Sequence, residues 1–128
     1  MEARRAYSDA PWEEAVGYCR ALRVGPRVWV TGTAPVDEDG RVVAPGDPYL
    51  QAQRCIQILR SSLEKLDAGL EHVVRTRMFT TDIDRWEEYG RAHREAFADH
   101  PPATTLVEVR RLIEPEMLIE IEADALVR

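Results

Sequence analysis

The order of elements in this 128-residue chain predicts an α+β domain, a mixed sheet of order β-β-α-β-α-β-β with two helices on one face. Three observations predict it. Two segments carry apolar residues at helical spacing, with N-terminal cap signals. Five shorter runs rich in Val, Ile, Thr and aromatic residues alternate like strands, and turn residues separate them. No internal repeat, low-complexity tract or linker divides the chain, so residues 1–128 are read as one domain.

After a polar lead-in, Tyr18 to Val24 reads as a strand, Gly25-Pro26 as a turn and Arg27 to Thr31 as its hairpin partner. The turn region Asp37 to Gly40 leads through Val42-Val43 to Pro45-Gly46, where the chain reverses into a helix. Asp47 is placed to cap that helix, Pro48 takes its first position and Gly69 marks its stop. Ala52, Ile56, Leu59, Leu63 and Leu66 form its buried stripe, whereas Gln53, Arg54, Arg60 and Lys65 point elsewhere. His72 to Thr81 is a strand with Arg75 and Arg77 on one side. Asp84 and Glu87 have the spacing of a capping box, and Trp86, Tyr89, His93 and Phe97 form the apolar stripe of a second helix that ends near His100-Pro101-Pro102. Strands Ala103 to Leu112 and Leu118 to Val127 flank the Glu114-Pro115-Glu116 turn. With both helices on one face and apolar residues on both sides of the strands, the uncovered face is expected to bury itself against other subunits.

Composition narrows the partners. At 45% apolar and 31% charged, the chain has the balance of a globular protein. Acidic residues outnumber basic ones 23 to 17 and no polybasic block occurs, so nucleic acid is not an expected partner. No run is apolar enough for a membrane span and no signal core follows the charged start, so the expected location is the cytoplasm, away from membranes. Cys19 and Cys55 lack CxxC spacing and read as reduced thiols, with Cys55 in the helix core.

In the last strand Ile119, Ile121, Ala123 and Ala125 alternate with Glu120, Glu122 and Asp124, which puts three carboxylates on one face. Glu122 and Asp124 are expected to pair with Arg75 and Arg77. Glu120, nearest the start of the strand, is the candidate general acid or base. His93 follows Gly90 by one helical turn, and a helical glycine costs about 1 kcal/mol relative to alanine, so a close neighbour is expected at Gly90. The three histidines are scattered and no metal or nucleotide motif occurs, so no cofactor is expected.

Four stretches resemble the reactive intermediate deaminase family, RidA or YjgF, over nearly the whole chain. They are Gly17-Tyr18-Cys19-Arg20-Ala21-Leu22-Arg23-Val24-Gly25, Val28-Trp29-Val30-Thr31-Gly32, His100-Pro101-Pro102-Ala103-Thr104-Thr105-Leu106-Val107-Glu108-Val109 and Ile119-Glu120-Ile121-Glu122-Ala123. The resemblance implies a chorismate-mutase-like fold and a homotrimer whose three small-molecule pockets lie between subunits. It also implies hydrolysis of enamines and imines such as 2-aminoacrylate, without a metal or organic cofactor. By the same resemblance Tyr18 and Glu120 are the catalytic candidates, Glu120 orienting water, and Thr31 is a lining hydroxyl. Where the family has Pro-Ala-Arg-Ser, this chain has Pro102-Ala103-Thr104-Thr105, so a neutral hydroxyl replaces the arginine that grips the substrate carboxylate. A family asparagine appears as Gly90, with His93 one turn on. Thr104, Thr105, Gly90, His93 and Arg20 complete the expected binding set, Arg20 as a substitute cation on the same strand face as Tyr18. The chain thus resembles an arginine-lacking branch, and its expected partners are a small metabolite and further copies of itself. A non-catalytic metabolite-binding or regulatory trimer is the alternative. Chorismate mutase chemistry needs converging cations and is disfavoured by the missing arginine.

Overall fold

The computed structural model describes residues 1–128 as a six-stranded sheet with two long helices packed on one face. The elements in chain order are β1 (Ala3–Ala6), α1 (Pro11–Val16), β2 (Ala21–Val24), β3 (Arg27–Thr33), α2 (Pro48–Glu64), β4 (Val73–Thr80), α3 (Trp86–Phe97), β5 (Ala103–Glu108) and β6 (Ile119–Leu126). The strand order is β1-β2-β3-β6-β4-β5, and only β4 and β5, joined through α3, run parallel. The expected β-β-α-β-α-β-β core is present, with one strand and one short helix added before it.

Those additions replace the expected polar lead-in. β1 pairs with β2 through Ala3 to Val24 and Ala6 to Ala21, so its Ala-Arg-Arg-Ala sequence becomes a strand by borrowing a sheet edge and not by its own propensity. α1 opens on Pro11 and closes on Gly17, whose φ of 90° is the left-handed cap geometry that glycine adopts without penalty. The same closure shortens the expected Tyr18 to Val24 strand. The Tyr18 N–H donates to the Glu13 carbonyl at 3.0 Å, so Tyr18 completes the end of α1 and β2 begins only at Ala21.

α2 begins as read, with Pro48 in its first turn and the Asp47 carboxylate accepting from the Leu50 N–H at 3.0 Å. Ala52, Ile56, Leu59 and Leu63 are buried against the sheet, and Leu66 is buried just beyond the helix. Gly69 is not the stop. The left-handed residue is Asp67, with φ of 59°, and the Ala68 N–H closes on the Leu63 carbonyl at 2.9 Å. Aspartate tolerates this conformation, so the helix ends five residues before the glycine.

α3 departs from its expected start in a similar way. A 3-10 turn over Ile83–Arg85 precedes it, no side chain caps it, and the Asp84/Glu87 capping box does not form. Trp86 is 56% exposed, so the buried stripe starts a turn later at Tyr89, continues through Ala92 and ends at Phe97. Tyr89 is turned inward by its hydroxyl, which lies 2.7 Å from the Thr80 hydroxyl and donates to the Asp82 carbonyl at 3.1 Å. β5 stops at Glu108, short of the expected Leu112, because its partner β4 ends at Thr80, whose carbonyl accepts the last bond of the pair from the Val109 N–H at 2.8 Å.

β6 buries Ile119, Ile121, Ala123 and Ala125 under α2 and leaves Glu120, Glu122 and Asp124 on the other face. The uncovered face is therefore mixed, carrying the three carboxylates that the alternation places on it as well as apolar residues. Trp29 and Val107 stand on it at 40% and 41% exposure, beside a charged patch in which Arg77 reaches Glu122 and Asp124 at 3.3 Å each. Arg75 does not join that patch. It donates to the Thr105 hydroxyl at 2.8 Å, because Thr105 lies on the neighbouring strand with its side chain on the same face. Both cysteines are free, and burial of Cys55 pushes its thiol well above the ordinary thiol range, which leaves it an inert core group.

Candidate functional site

A local irregularity in β3 shapes the site. Between Val30 and Thr33 the pairing with β6 gains one residue, a bulge at Thr31-Gly32. Gly32 has no side chain there, and the Glu120 carboxylate occupies the space that a Cβ would need. The bulge turns the end of β3 and lets Glu120 reach a cavity of about 590 Å³, whose wall includes Tyr18, Arg20, Gly32 and Glu120. α1 and the outer face of α2 supply much of the remainder, through Trp12 and Ser61 among others.

Glu120 has no hydrogen-bond or ion-pair partner within the chain at contact distance, and burial raises its carboxyl above the ordinary value of 4.5, an effect that nearby Arg20 opposes and Glu122 reinforces. A carboxyl raised by burial and left without a partner is a candidate acid or base. Arg20 is buried, with 7% of its surface exposed. Its Nη1 donates to the Gly32 carbonyl at 3.2 Å and lies 3.5 Å from the Thr33 hydroxyl. Its Nε has no hydrogen-bond partner and sits 3.6 Å from a carboxylate oxygen of Glu13. The guanidinium also stands 5.6 Å from the centre of the Tyr18 ring. Glu13, itself buried, is held by the Ser8 N–H at 3.0 Å and by the Ser8 hydroxyl. The site therefore contains a buried cation, a buried counter-charge and a separate, unpaired carboxyl.

Thr31 lies in the bulge but spends its hydroxyl proton on the Cys19 carbonyl at 2.9 Å, and it lines the adjoining depression beside Trp29 instead of the Glu120 cavity. Its observed work is to fasten the Tyr18–Arg20 segment to β3. Thr104, Thr105, His93 and Gly90 stand apart from that cavity, at β5 and α3. Thr104 and Thr105 are neighbours in a strand and point to opposite faces, Thr105 toward Arg75 and Thr104 toward α3. Thr104 joins Thr76 and His93 in a hydrogen-bonded cluster, Thr76 Oγ1 lying 2.8 Å from both His93 Nε2 and Thr104 Oγ1. Burial lowers the His93 pKa and favours the neutral ring. No close neighbour exists at Gly90, where an added Cβ would meet nothing within 4 Å. The expected close approach is thus absent within one chain.

Within a single chain the expected residues accordingly form two groups, Tyr18 with Arg20 and Glu120, and Thr104 with His93. Sequence reasoning missed Glu13 and Thr76. Both are polar residues whose roles come from tertiary partners, and the one available signal was the Pro11 to Gly17 frame that makes Glu13 helical. No group of His, Cys, Asp and Glu has the geometry of a metal site, and no helix is long and apolar enough to cross a membrane.

The family model described as Endoribonuclease L-PSP matches residues 8–127. The chain is 35% identical over 122 residues to the uncharacterized protein SCO2049 of Streptomyces coelicolor, covering 95% of this chain and 90% of that one. It is 29% identical over 124 residues to the RutC family protein UK114 of Drosophila melanogaster, covering 97% and 85%. Among solved structures, Rv2704 of Mycobacterium tuberculosis, a member of the YjgF/YER057c/UK114 family, superposes with a TM-score of 0.90 at 40% identity, covering 98% of this chain and all of that one. The YjgF gene product of E. coli superposes at 0.82 with 29% identity, covering 96% and 97%. Sequence and fold agree over the same span, including the Tyr18, Gly32 and Glu120 segments that build the cavity: the chain belongs to the YjgF/UK114 family.

Proposed function

We propose that the chain is a subunit of a homotrimer with a small-metabolite site in each cleft between subunits, and that Glu120 there orients water for hydrolysis of an imine or related C–N compound. The observation that carries this reading is the convergence of an unpaired Glu120, its carboxyl pushed up by burial, with Tyr18 and Arg20 on one cavity. In the reaction the ionised Glu120 takes a proton from water as the oxygen bonds to the imine carbon and the C=N electrons move to nitrogen. The protonated carboxyl then returns a proton to nitrogen, and the carbinolamine collapses to a carbonyl compound and ammonia or an amine. Tyr18 supplies a hydroxyl at the cavity wall. Arg20 supplies positive charge. No metal or organic cofactor is required by this scheme.

The natural substrate is proposed to differ from 2-aminoacrylate, because Thr104 brings no charge to an α-carboxylate. A net charge of −6 and the absence of a basic block favour a metabolite over RNA as the ligand. We place the protein in the cytoplasm. The test is ammonia release from a panel of linear and cyclic imines by the wild type and Glu120→Gln, with the assembly checked by sedimentation equilibrium. Release that Glu120→Gln abolishes in an intact trimer supports the reading, and a monomer at micromolar concentration removes it. The neutral Thr104 is the specific observation that favours a second reading, a non-catalytic metabolite-binding or regulatory trimer. That reading predicts saturable binding of a panel compound without turnover.

A further inference from the structure

Glu120 is connected to the N-terminal segment through Arg20. Both carboxylate oxygens of the buried Glu13 are engaged by Ser8, Oε1 by its backbone N–H at 3.0 Å and Oε2 by its hydroxyl. Oε2 also lies 3.6 Å from Arg20 Nε, so the carboxylate is fixed on the α1 side and turned toward the guanidinium. Arg20 donates from Nη1 to the Gly32 carbonyl at 3.2 Å, within the β3 bulge against which the Glu120 carboxylate packs. The contacts run unbroken from Ser8 through Glu13, Arg20 and Gly32 to Glu120.

A buried guanidinium needs a counter-charge, and one that loses it turns to the next carboxylate in reach or to water. The other carboxyl that feels Arg20 is Glu120, which faces the same cavity and forms no ion pair with it. The remaining titratable groups around Glu120 do not take the place of Arg20. Glu122, on the same strand, repels Glu120 and is engaged by Arg77, and Cys55 of α2 stays a neutral thiol. Arg54 and Lys65, on the α2 side of the cavity, donate to the Val36 and Tyr7 carbonyls. Tyr18, Asp9 and the Asp37 to Asp39 turn line the wall and bring no cation. Glu13 and Glu120 are therefore competitors for one guanidinium, and Glu13 holds it.

We propose that Glu13 is a positioning residue for Glu120: it keeps Arg20 against the Gly32 carbonyl and so leaves the Glu120 carboxyl unpaired and open to the cavity. The proposal rests on the reading of Glu120 as the group that orients water, and it gives α1 a part in that chemistry.

The test follows the Glu120 side-chain carboxyl by carbon-13 NMR as pH is varied in the full chain, its signal assigned by its loss in Glu120→Gln. With Glu13 neutralised, Arg20 turns to Glu120 and favours its charged form. The Glu120 midpoint is expected to fall by about one pH unit in Glu13→Gln, the lower end of what an opposite charge at contact distance produces. Glu13→Asp keeps the charge and should restore most of the wild-type midpoint. The double variant Glu13→Gln, Arg20→Met removes the competitor and the cation together, and its midpoint should lie above that of the wild type, because burial then acts without Arg20 to oppose it. Ser8→Ala, which removes one of the bonds holding Glu13, should shift the midpoint downward by less. An unchanged midpoint in Glu13→Gln, or in Ser8→Ala should Glu13→Gln not fold, overturns the proposal, since a purely structural pair costs stability and leaves Glu120 alone. A double variant that titrates with Glu13→Gln overturns it as well, because the effect would not pass through Arg20. Ammonia release from the imine panel is read separately: a shifted midpoint without release by the wild type removes the hydrolytic reading and keeps the positioning, and an unchanged midpoint with Glu120-dependent release does the reverse.

Discussion

Replacing Glu13 by glutamine should destabilise the protein through Arg20, although the two side chains keep nearly the same shape. The Glu13 and Arg20 side chains are 4% and 8% exposed and approach to 3.6 Å, so the counter-charge that makes a buried guanidinium tolerable comes chiefly from Glu13. At an effective dielectric of about 20, a unit pair at that separation attracts by about 4 to 5 kcal/mol. Glutamine also escapes the cost of burying a carboxylate, and Arg20 retains the Gly32 carbonyl, so about half of the gross attraction should survive as a net loss. The expected cost is about 2 kcal/mol, below the roughly 3 to 5 kcal/mol of breaking a buried pair outright because the glutamine and the Gly32 carbonyl still solvate Arg20, and large against a total stability of about 5 to 15 kcal/mol. Urea unfolding followed by circular dichroism reads it directly. The double variant Glu13→Gln, Arg20→Met removes both charges and should recover most of the loss. A single variant as stable as the wild type, or a double variant no better than the single, would show that water reaching Arg20 already balances its charge, and the buried pair would carry no weight in the site.

Three further outcomes follow from the same geometry. Gly32→Ala should leave the fold intact but push Glu120 out of place, so ligand turnover should fall at least about tenfold while thermal stability changes little. Turnover equal to the wild type would mean that Glu120 acts from another position. Because the folded-state pKa of Glu120 is raised, the native chain binds its proton more tightly than the unfolded chain, and wild-type stability should fall as pH rises from 4.5 through the folded value. Glu120→Gln lacks this loss, so its advantage in Tm should be present at pH 8 and absent below 4.5, and a pH-independent difference would refute the assigned cause. Thr104→Arg should create affinity for pyruvate that the wild type lacks, by about tenfold or more, since a charged contact replaces a neutral one. Titration calorimetry reads that gain, and silence in a folded variant would mean that His93 and Thr76 hold the new guanidinium away from the ligand.

The helices and central strands were legible because their burial follows local periodicity. Ala52, Ile56, Leu59 and Leu63 face the sheet as spacing requires, and Ile119, Ile121, Ala123 and Ala125 alternate as β6 demands. Misreadings cluster where a long-range partner outweighs the local signal. β1 has the sequence of an exposed tail and exists only because β2 offers an edge. Asp67, not Gly69, ends α2, since the first residue able to turn left-handed there takes that role. The Asp84/Glu87 box fails because Tyr89 is anchored to Thr80 and Asp82, which sets the helix start from the sheet side.

The same distinction separates the parts of the site. Glu120 could be singled out from alternation and the resemblance, because its face and position along β6 are one-dimensional facts. The bulge that makes it useful could be suspected only from Thr31-Gly32, for a glycine inside a strand marks either a bulge or a close approach, and here it is both. Glu13 and Thr76 were illegible for a different reason. A buried polar side chain is defined by its partner, and the partners lie at the Ser8–Arg20 crossing and across β4, β5 and α3, where no spacing rule connects them. The threonine-for-arginine exchange at Thr104 was visible in the sequence as a loss. In the structure it is also a replacement, because the space near α3 is organised by two hydroxyls and an imidazole in place of a guanidinium. Loss of the cation removes a charged contact, and the two hydroxyls and the imidazole around it satisfy one another, so Thr104→Arg is the substitution that separates the lost charge from the reshaped surroundings.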